Sequence, residues 1–359
     1  MEAMALDPTF WRERRVFLTG HTGFKGGWLL AWLHALGARV SGYALPAETS
    51  PSLWQSARLE GCLERHELAD IRDAQTLRQA LERSGAEIVL HLAAQPLVRR
   101  SYQAPAETYA TNVMGTVNLL EAVRQVEGVR AVVVVTTDKS YENREWPWPY
   151  RETDRLGGHD PYSNSKACAE LVCAAYRDSF LAARYVGLAT ARAGNVIGGG
   201  DWSADRLLPD LFRAWARGER VELRYPQATR PWQHVLEPLA GYLLLAQSLA
   251  MNGRDFGTAW NFGPPPDSVQ SVETVVRRLA ARWSEPVAWT VTSEAQPHEA
   301  GVLALDSSLA RQRLGWQPRW SLDEALAQTS AWQTAWAAGQ DMRQVTLDQI
   351  NLYQGLDNE

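Results

Sequence analysis

The sequence predicts an α/β protein built on a doubly wound parallel sheet. Segments typical of strands and helices alternate along most of the chain, and this order produces a parallel sheet with helices on both faces. The apolar run Ala131–Val135 has the composition of a strand that is buried on both sides. A glycine-rich turn at residues 20–26 lies between an apolar strand and a helix, which is the context of a phosphate-binding turn.

Composition and charge exclude several classes of function. The 359 residues include 36 basic and 41 acidic side chains, a net charge of −5, so nothing favours nucleic acid or an anionic membrane as a partner. The chain shows no apolar run of membrane-spanning length and no signal-peptide pattern, and we expect a cytoplasmic protein. We expect many of the 16 tryptophans to pack in the core, with a few available to stack on a ligand ring. The three cysteines form no C-x-x-C pair, and we expect Cys62, Cys168 and Cys173 to be reduced, buried and inert.

The first strand, helix and intervening turn predict a dinucleotide site. A strand at 15–19 leads into the glycine turn, and the helix predicted at 28–36 ends at Gly37. Glycines allow the backbone to approach a pyrophosphate, whose charge is stabilised at the helix N-terminus. An ordinary strand–helix turn with spare glycines is the alternative. The expected cofactor contacts in the turn are Gly20, Thr22, Gly23, Phe24, Lys25 and Gly26.

The second strand, at 39–43, lacks a usual determinant of cofactor choice. An acidic residue at its end would bind the adenosine ribose and an arginine would bind a 2′-phosphate, but Gly42-Tyr43-Ala44-Leu45 stands there. We expect NAD, with NADP left open by this pattern. After a short strand near 66–69, Asp70 and Ile71 are candidates to hold the adenine with a carboxylate and an apolar wall.

The next elements extend the cofactor site. A helix at 74–83 and a strand at 88–92 lead into small residues, which let a cofactor lie close to the end of a parallel strand. A long helix follows at 105–125, and Asn112 within it is a candidate to bridge through water to the catalytic lysine. A solvated asparagine is the alternative. The small and polar residues after the strand at 88–92 are Ala93, Ala94 and Gln95.

Candidate catalytic residues follow the strand at 131–135. Tyr162 and Lys166 lie four apart in a helix that begins near 161, so both side chains lie on one helix face. An ammonium beside a phenol favours the phenolate, so we expect the pKa of Tyr162 to be lowered toward the range of a general base. The Y-x-x-x-K spacing is common by chance, and its weight comes from the preceding Thr137-Asp138-Lys139.

With these motifs the chain resembles the extended short-chain dehydrogenase/reductase superfamily and, within it, the nucleotide-sugar 4,6-dehydratases. The resemblance implies a Rossmann-like fold, NAD, a nucleotide-sugar substrate, and a homodimer or homotetramer built on the helices at 105–125 and 161–182. Thr-Asp-Lys at 137–139 is similar to the branch of the family that acts on CDP-glucose, whereas the dTDP-glucose branch has Thr-Asp-Glu. The resemblance covers nearly the whole chain and is narrowest at 20–26, 140–146, 193–202 and 230–235.

The resemblance implies loss of water from a glucosyl nucleotide with no net redox change. Tyr162 takes the C4 hydroxyl proton while hydride passes to the nicotinamide, Lys166 binds the nicotinamide ribose, and Thr137 hydrogen-bonds the same sugar oxygen. Asp138 is the expected acid at C6, where burial raises its pKa. Lys139 takes the place of the glutamate base at C5, which requires burial to keep it neutral. A water, or Asp138 and Lys139 acting jointly, is the alternative base.

The rest of the chain is expected to bind the sugar nucleotide. We predict an NAD-binding domain over 1–191, to which about 230–262 return, and a smaller α/β part over 192–359 that mainly binds substrate. Helices are predicted at 239–251, 272–283, 309–314 and 322–336, with the last twenty residues loosely ordered. His234 has no partner at metal-ligand spacing, so we interpret it as structural and predict no metal site. The substrate-binding candidates are Asn195, Arg206, Arg230 and His298; the guanidinium groups match phosphate oxygens.

Two other classes of function compete with this interpretation. An epimerase or reductase of nucleotide sugars needs Tyr162 and Lys166 but no acid–base pair after Thr137, so Asp138 and Lys139 favour a dehydratase. A catalytically inactive binding protein with the same fold would not need these residues intact. The spacing of residues does not identify the base of the nucleotide.

Overall fold

The computed structural model describes residues 6–283, 287–292 and 301–355. Seven of its strands form one parallel sheet, which confirms the predicted fold class. In chain order the strands are β1 (Arg15–Thr19), β2 (Arg39–Ala44), β3 (Arg65–Leu68), β4 (Ile88–His91), β5 (Ala131–Val135), β6 (Gly187–Ala193), β7 (Val196–Ile197), β8 (Val221–Leu223), β9 (Thr229–Pro231), β10 (Gln233–His234), β11 (Ala259–Phe262), β12 (Val269–Ser271) and β13 (Trp289–Val291).

The order of strands in the sheet indicates where a ligand-binding crevice lies. The sheet runs β11-β6-β5-β4-β1-β2-β3, with every neighbouring pair parallel. The direction of winding reverses between β1 and β4, and parallel sheets bind ligands at the carboxyl ends of strands beside such a reversal. Thr19 and His91 end these two strands side by side, joined by a hydrogen bond of 2.7 Å between Oγ1 and Nδ1.

Helices cover both faces of the sheet. They are α1 (Pro8–Trp11), α2 (Phe24–Ala35), α3 (Leu53–Ser56), α4 (Ala74–Ser84), α5 (Val98–Gln103), α6 (Pro105–Tyr109), α7 (Gly115–Gln125), α8 (Pro161–Tyr176), α9 (Leu207–Trp215), α10 (Leu236–Asn252), α11 (Val272–Ala280), α12 (Leu322–Ala337) and α13 (Met342–Gln354). A wide π turn over Ala110–Met114 joins α6 to α7, so the long helix predicted at 105–125 is present but interrupted.

Local signals account for α8, the helix that carries the candidate catalytic pair. The Asp160 carboxylate accepts a hydrogen bond from the backbone N–H of Ser163, and Pro161 occupies the first turn, where its missing N–H costs nothing. The helix therefore begins at the predicted residue.

Large aromatic side chains fill the core on one face of the sheet. Six tryptophans are fully buried, which confirms the expected use of this residue type. Cys62 and Cys173 are buried and Cys168 is half-buried, and all three thiols are free. The buried tryptophans are Trp11, Trp28, Trp32, Trp260, Trp316 and Trp332.

The expectation of a loosely ordered C-terminus is wrong for the described residues up to 355. Asp341 caps α13, and this helix packs against α2. The hydroxyl of Tyr353 donates to Glu237 in α10 at 2.6 Å. The apolar pattern of α13 is weak because two of its buried positions, Thr346 and Gln349, are polar.

Smaller strand pairs lie beyond the sheet: β7 with β10, β9 with β12 and β8 with β13. The chain returns to the main sheet in α10 and β11, within the predicted segment at about 230–262. The division near residue 191 stays a prediction. Among the described residues, no helix is both long and apolar enough to cross a membrane.

Candidate active site

A cavity of about 910 Å³ follows the carboxyl ends of the strands. It brings together residues from the glycine turn, the catalytic segment and the substrate part of the chain. His298 lies outside the described residues. The predicted site residues that line the cavity are Gly20, Thr22, Gly23, Phe24, Lys25, Gly26, Asp70, Ile71, Ala93, Ala94, Gln95, Thr137, Asp138, Lys139, Tyr162, Lys166, Asn195, Arg206 and Arg230.

The glycine turn is shaped for a close-lying anion. Gly20 has a φ of +76°, and a Cβ there would lie 2.7 Å from the backbone nitrogen of Ala93. A Cβ on Gly26 would lie 2.0 Å from the carbonyl oxygen of Gly20. α2 begins after Gly23 with no side-chain cap, so its first N–H groups face the cavity unblocked by the protein. The turn therefore fits the pyrophosphate of a dinucleotide.

The carboxylate of Asp70, which is predicted to hold the adenine, is fixed in orientation by its neighbours. Arg72 pairs with Asp70 at 2.6 Å between Nη2 and Oδ2, and this hydrogen bonding lowers the pKa of Asp70. The hydroxyl of Tyr43 donates to the carbonyl oxygen of Asp70 at 2.8 Å. Tyr43, at the strand end that lacks the usual acidic residue, thus fixes the turn that carries Asp70 and Ile71.

The role of Asn112 in contacting the cofactor, or in bridging through water to Lys166, stays a prediction. Its side chain is buried, does not line the cavity, and bonds directly to protein. Oδ1 accepts from the Gln95 backbone at 2.8 Å, and Nδ2 donates to the Gln95 carbonyl and to Ser165 Oγ at 3.0 and 2.9 Å. The π turn adds a residue to one helical turn and so changes which side chains face inward. The neighbouring Thr111 lines the cavity instead, and nothing in the sequence signalled this turn.

Burial favours the protonated form of Asp138. It is 1% exposed, and burial raises its pKa although the charges of Lys139 and Arg230 and a hydrogen bond from Thr137 lower it. Thr137 Oγ1 donates to Asp138 Oδ1 at 3.0 Å, while Oδ2 meets no hydrogen-bond partner among the described residues. The raised pKa agrees with the expectation for an acid.

The expected lowering of the Tyr162 pKa is wrong in this structure. Burial raises its pKa to about 12, which outweighs a hydrogen bond with Thr137, and the charge of Asp138 adds to the increase. Burial lowers the pKa of Lys166 to about 8, and its Nζ donates to the carbonyl oxygen of Val135 at 3.0 Å. Lys166 is thus fastened to the end of β5, and Tyr162 is a neutral phenol.

Several further cationic side chains line the cavity. Arg230 is 3% exposed and donates to the Thr229 carbonyl at 2.8 Å, as expected for an enclosed arginine. Arg206 pairs with Asp201 at 3.0 Å. Lys139 is only half-buried. Burial, followed by the charge of Arg206, lowers the pKa of Lys25 to about 7, which places this side chain among the same cations.

Sequence reasoning missed part of the lining. Trp232 follows Arg230 within the distinctive segment at 230–235, and Tyr225 precedes it; both line the cavity. His234, by contrast, is fully buried against the rings of Trp28 and Trp320, and burial lowers its pKa to about 3, which fits a structural role. No cluster of histidine, cysteine and carboxylate side chains within the described part of the chain could hold a metal ion.

A doubly wound sheet with this glycine turn, and with Thr137, Tyr162 and Lys166 at one crevice, defines an extended short-chain dehydrogenase/reductase. The model of the GDP-mannose 4,6 dehydratase family matches residues 17–329; the chain belongs to this family and is a nucleotide-sugar 4,6-dehydratase, a hydro-lyase.

Individual relatives agree with this assignment. The chain is 53% identical over 342 residues to CDP-glucose 4,6-dehydratase of Salmonella typhimurium, covering 94% of this chain and 95% of the relative. In fold it is similar to UDP-glucose-4-epimerase from Stenotrophomonas maltophila with bound NAD and formylated UDP-arabinopyranose, with a TM-score of 0.79, 23% identity, and coverage of 91% and 99% of the two chains. It is also similar to MoeE5 in complex with UDP-glucose and NAD, with a TM-score of 0.75, 27% identity, and coverage of 90% and 99%.

Proposed function

We propose that this enzyme is a CDP-glucose 4,6-dehydratase, which converts CDP-glucose to CDP-4-dehydro-6-deoxyglucose and water as a precursor of deoxysugars such as those of lipopolysaccharide O-antigen. The observation that carries the proposal is the 53% identity, over nearly the full length of both chains, to an enzyme of that name. Thr137-Asp138-Lys139 at the end of β5 supports the same branch of the family.

The cofactor in this proposal is NAD. The glycine turn and the N-terminus of α2 hold the pyrophosphate, Asp70 and Ile71 hold the adenosine, and Lys166 holds the nicotinamide ribose. NAD supplies a hydride acceptor and a positively charged ring that favours loss of the Tyr162 proton. A relative of known structure, MoeE5, is in complex with NAD.

The chain's own groups move two protons. Tyr162 first loses its own proton to solvent and then, as the phenolate, accepts the C4 hydroxyl proton, assisted by its hydrogen bond with Thr137. Asp138 donates its proton to the departing C6 hydroxyl, and its unpartnered Oδ2 leaves one oxygen available for that contact. The raised pKa of Asp138 favours the protonated form that a general acid needs.

Lys139 is the proposed base at C5, with a water or the Asp138–Lys139 pair as the alternative. Its half-buried position beside the buried Asp138 supports contact with the sugar, but burial is incomplete. Lys139→Ala should slow exchange of the C5 hydrogen with solvent deuterium by about 100-fold, measured by mass spectrometry of recovered nucleotide sugar. Exchange at the wild-type rate would assign the proton transfer to a water.

Arg206, Arg230 and Asn195 are the proposed diphosphate and sugar ligands. Both guanidinium groups line the cavity, and Arg206 lies close enough to Lys25 for its charge to lower the pKa of that lysine. His298 remains a candidate ligand from the sequence.

The proposed assembly is a homodimer, able to pair into a tetramer, in the cytoplasm. Exposed apolar side chains on the outer faces of the 105–125 helix and the segment from 161 to 182 support a helix-to-helix contact between copies. These side chains are Tyr109, Met114, Leu171 and Phe180.

The test is incubation of the purified protein and NAD with CDP-, dTDP-, GDP- and UDP-linked hexoses. The proposal expects one water to be lost from CDP-glucose alone, without net NADH, as read by product mass. Turnover of another nucleotide would overturn the substrate, and a sugar epimer or accumulated NADH would overturn the roles of Asp138 and Lys139.

A further inference from the structure

A buried ion pair lies close to the candidate catalytic groups but does not line the cavity. Glu170 on α8 and Arg192 on β6 are 4% and 3% exposed, and neither lines the cavity. Arg192 donates from Nε to Oε1 at 2.9 Å and from Nη2 to Oε2 at 2.8 Å. This two-point contact between planar groups fixes their relative orientation as well as their distance.

Glu170 also joins α8 to the strand that carries the candidate acid. The hydroxyls of Thr136 and Thr190 each donate to one of its carboxylate oxygens. Thr136 directly precedes Thr137, and the neighbouring Val135 carbonyl accepts the bond from Lys166. One face of α8 is therefore fastened twice to the end of β5, by side chains one helical turn apart.

Arg192 extends the network to the other side of the catalytic turn. Its Nη1 donates to the hydroxyl of Tyr141 at 2.7 Å, and that hydroxyl donates to Asn261 Oδ1 at 2.7 Å. Tyr141 follows the turn at Asp138–Ser140, which Ser140 closes through a bond to the Thr137 carbonyl. The ion pair thus contacts both segments that carry catalytic groups.

Stability alone does not explain such a pair. Transfer of two charges into the protein interior is costly, and packed apolar side chains commonly stabilise a core as well or better. The pair instead restricts α8 and β6 to one relative arrangement, because each charged group makes several directional hydrogen bonds.

We propose that Glu170 and Arg192 are positioning residues that hold the Tyr162–Lys166 face of α8 at a fixed distance from the Thr137–Lys139 turn. Tyr162, the proton acceptor for C4, and Asp138, the proton donor for C6, can then reach the same bound sugar. The inference rests on the roles assigned to these groups under the proposed function.

Two stacked tyrosines offer a matched pair of variants. Tyr141 and Tyr150 lie with ring centroids 5.1 Å apart, and only the Tyr141 hydroxyl reaches Arg192. The Tyr150 hydroxyl instead donates to Asn143 at 2.9 Å. Each Tyr→Phe change removes one oxygen from the same small cluster, so the two proteins differ chiefly in whether Arg192 loses a partner.

We expect Tyr141→Phe to lower kcat per folded molecule by about tenfold, because small misplacements of catalytic groups are costly. Tyr150→Phe should stay within about twofold of wild type at a similar Tm. Glu170→Gln, which keeps the shape of the side chain, should lower kcat further if it folds. A KM change without a kcat change would indicate a role in binding rather than positioning.

Amide hydrogen exchange supplies a readout that needs no substrate. Peptides covering 137–141 and 161–166 should exchange faster in Tyr141→Phe than in wild type or Tyr150→Phe. Identical exchange in the two variants, with identical kcat on whichever nucleotide hexose the wild type consumes, would overturn the positioning role. Failure of the proposed function is seen separately, as wild-type protein that leaves CDP-glucose unchanged; the exchange comparison still decides the positioning role in that case.

Discussion

Burial raises the pKa values of the two side chains from which the proposed reaction starts. Asp138 and Tyr162 both lose contact with water, and both pKa values rise in consequence. A raised pKa favours the uncharged, protonated form of each group. For Asp138 this is the state that an acid needs, whereas Tyr162 must lose its proton during catalysis.

The Asp138→Asn variant should still remove hydride from C4 but should fail to remove water at C6. The amide has no acidic proton for C6, so water loss should fall by about 100-fold or more, while hydride removal at C4 continues. Mixing the variant with substrate should produce the absorbance of reduced nicotinamide without loss of water by mass. Tyr162→Phe is the control, since it should abolish the absorbance as well. Normal water loss in Asp138→Asn would move the acid to another group.

At the scale of one element, two substitutions in the glycine turn should affect different properties, one the thermal stability and the other the affinity for NAD. A Cβ on Gly26 would lie 2.0 Å from backbone, whereas the nearest contact of a Cβ on Gly23 is 3.4 Å. Gly26→Ala should therefore lower Tm, by an amount corresponding to about 2–4 kcal/mol. Gly23→Ala should fold normally but weaken NAD binding about tenfold or more, because its methyl group points at the pyrophosphate site. Thermal unfolding and NAD titration distinguish the two effects, and equal Tm losses would contradict this division.

A buried carboxylate makes the junction of α10 and α13 sensitive to pH. Glu237 accepts from the backbone N–H of Trp320 at 2.7 Å and from Tyr353, and burial raises its pKa from 4.5 to about 7. Between these values the folded protein binds more protons than the unfolded chain. The free energy of unfolding contributed by this group is therefore present below about pH 4.5 and is lost as pH rises through about 7.

Glu237→Gln should remove that pH dependence. At pH 8 the variant should be more stable than wild type by up to about 3 kcal/mol, and at pH 4.5 the advantage should vanish. Chemical denaturation at both pH values measures the difference. Glu127→Gln, at an exposed loop position, is the control and should leave the wild-type dependence intact. Parallel curves for wild type and Glu237→Gln would show that the carboxyl stays ionised.

Elements with short-range signals were predictable, and those that depend on tertiary packing were not. β5 and the start of α8 match their predicted bounds because five successive apolar residues, and the pair Asp160-Pro161, carry the information locally. α13 was missed because its inward face includes polar residues that find partners on other helices. Motifs located the glycine turn and the candidate catalytic residues, which the structure brings together at the cavity. The pKa of Tyr162 and the inward turn of Asn112 depend on packing that no local pattern encodes.

At the scale of the whole molecule, the proposed helix-to-helix contact is open to a direct test. Leu171 is 59% exposed on α8, whereas the neighbouring Glu170 is buried. Leu171→Glu would place a charge in the centre of that contact and should convert the dimer to a monomer at micromolar concentration. Light scattering after size exclusion measures the mass. Arg217→Glu, at an exposed position after α9, is the control for added charge. A dimer that persists in Leu171→Glu would place the interface elsewhere.

The strand order of the sheet has a consequence for how the chain is made. β6 is buried along its full length between β5 and β11, yet α9, α10 and four short strands separate it from β11 in sequence. While the ribosome synthesises that interval, the outer edge of β6 has no partner, and an unpaired apolar edge is a template for association with other chains. The catalytic residues are all synthesised by then, but a fragment that stops there cannot close its sheet. The smallest unit expected to fold thus extends past Phe262, and the docking of α13 on α2 extends it almost to the end of the described chain.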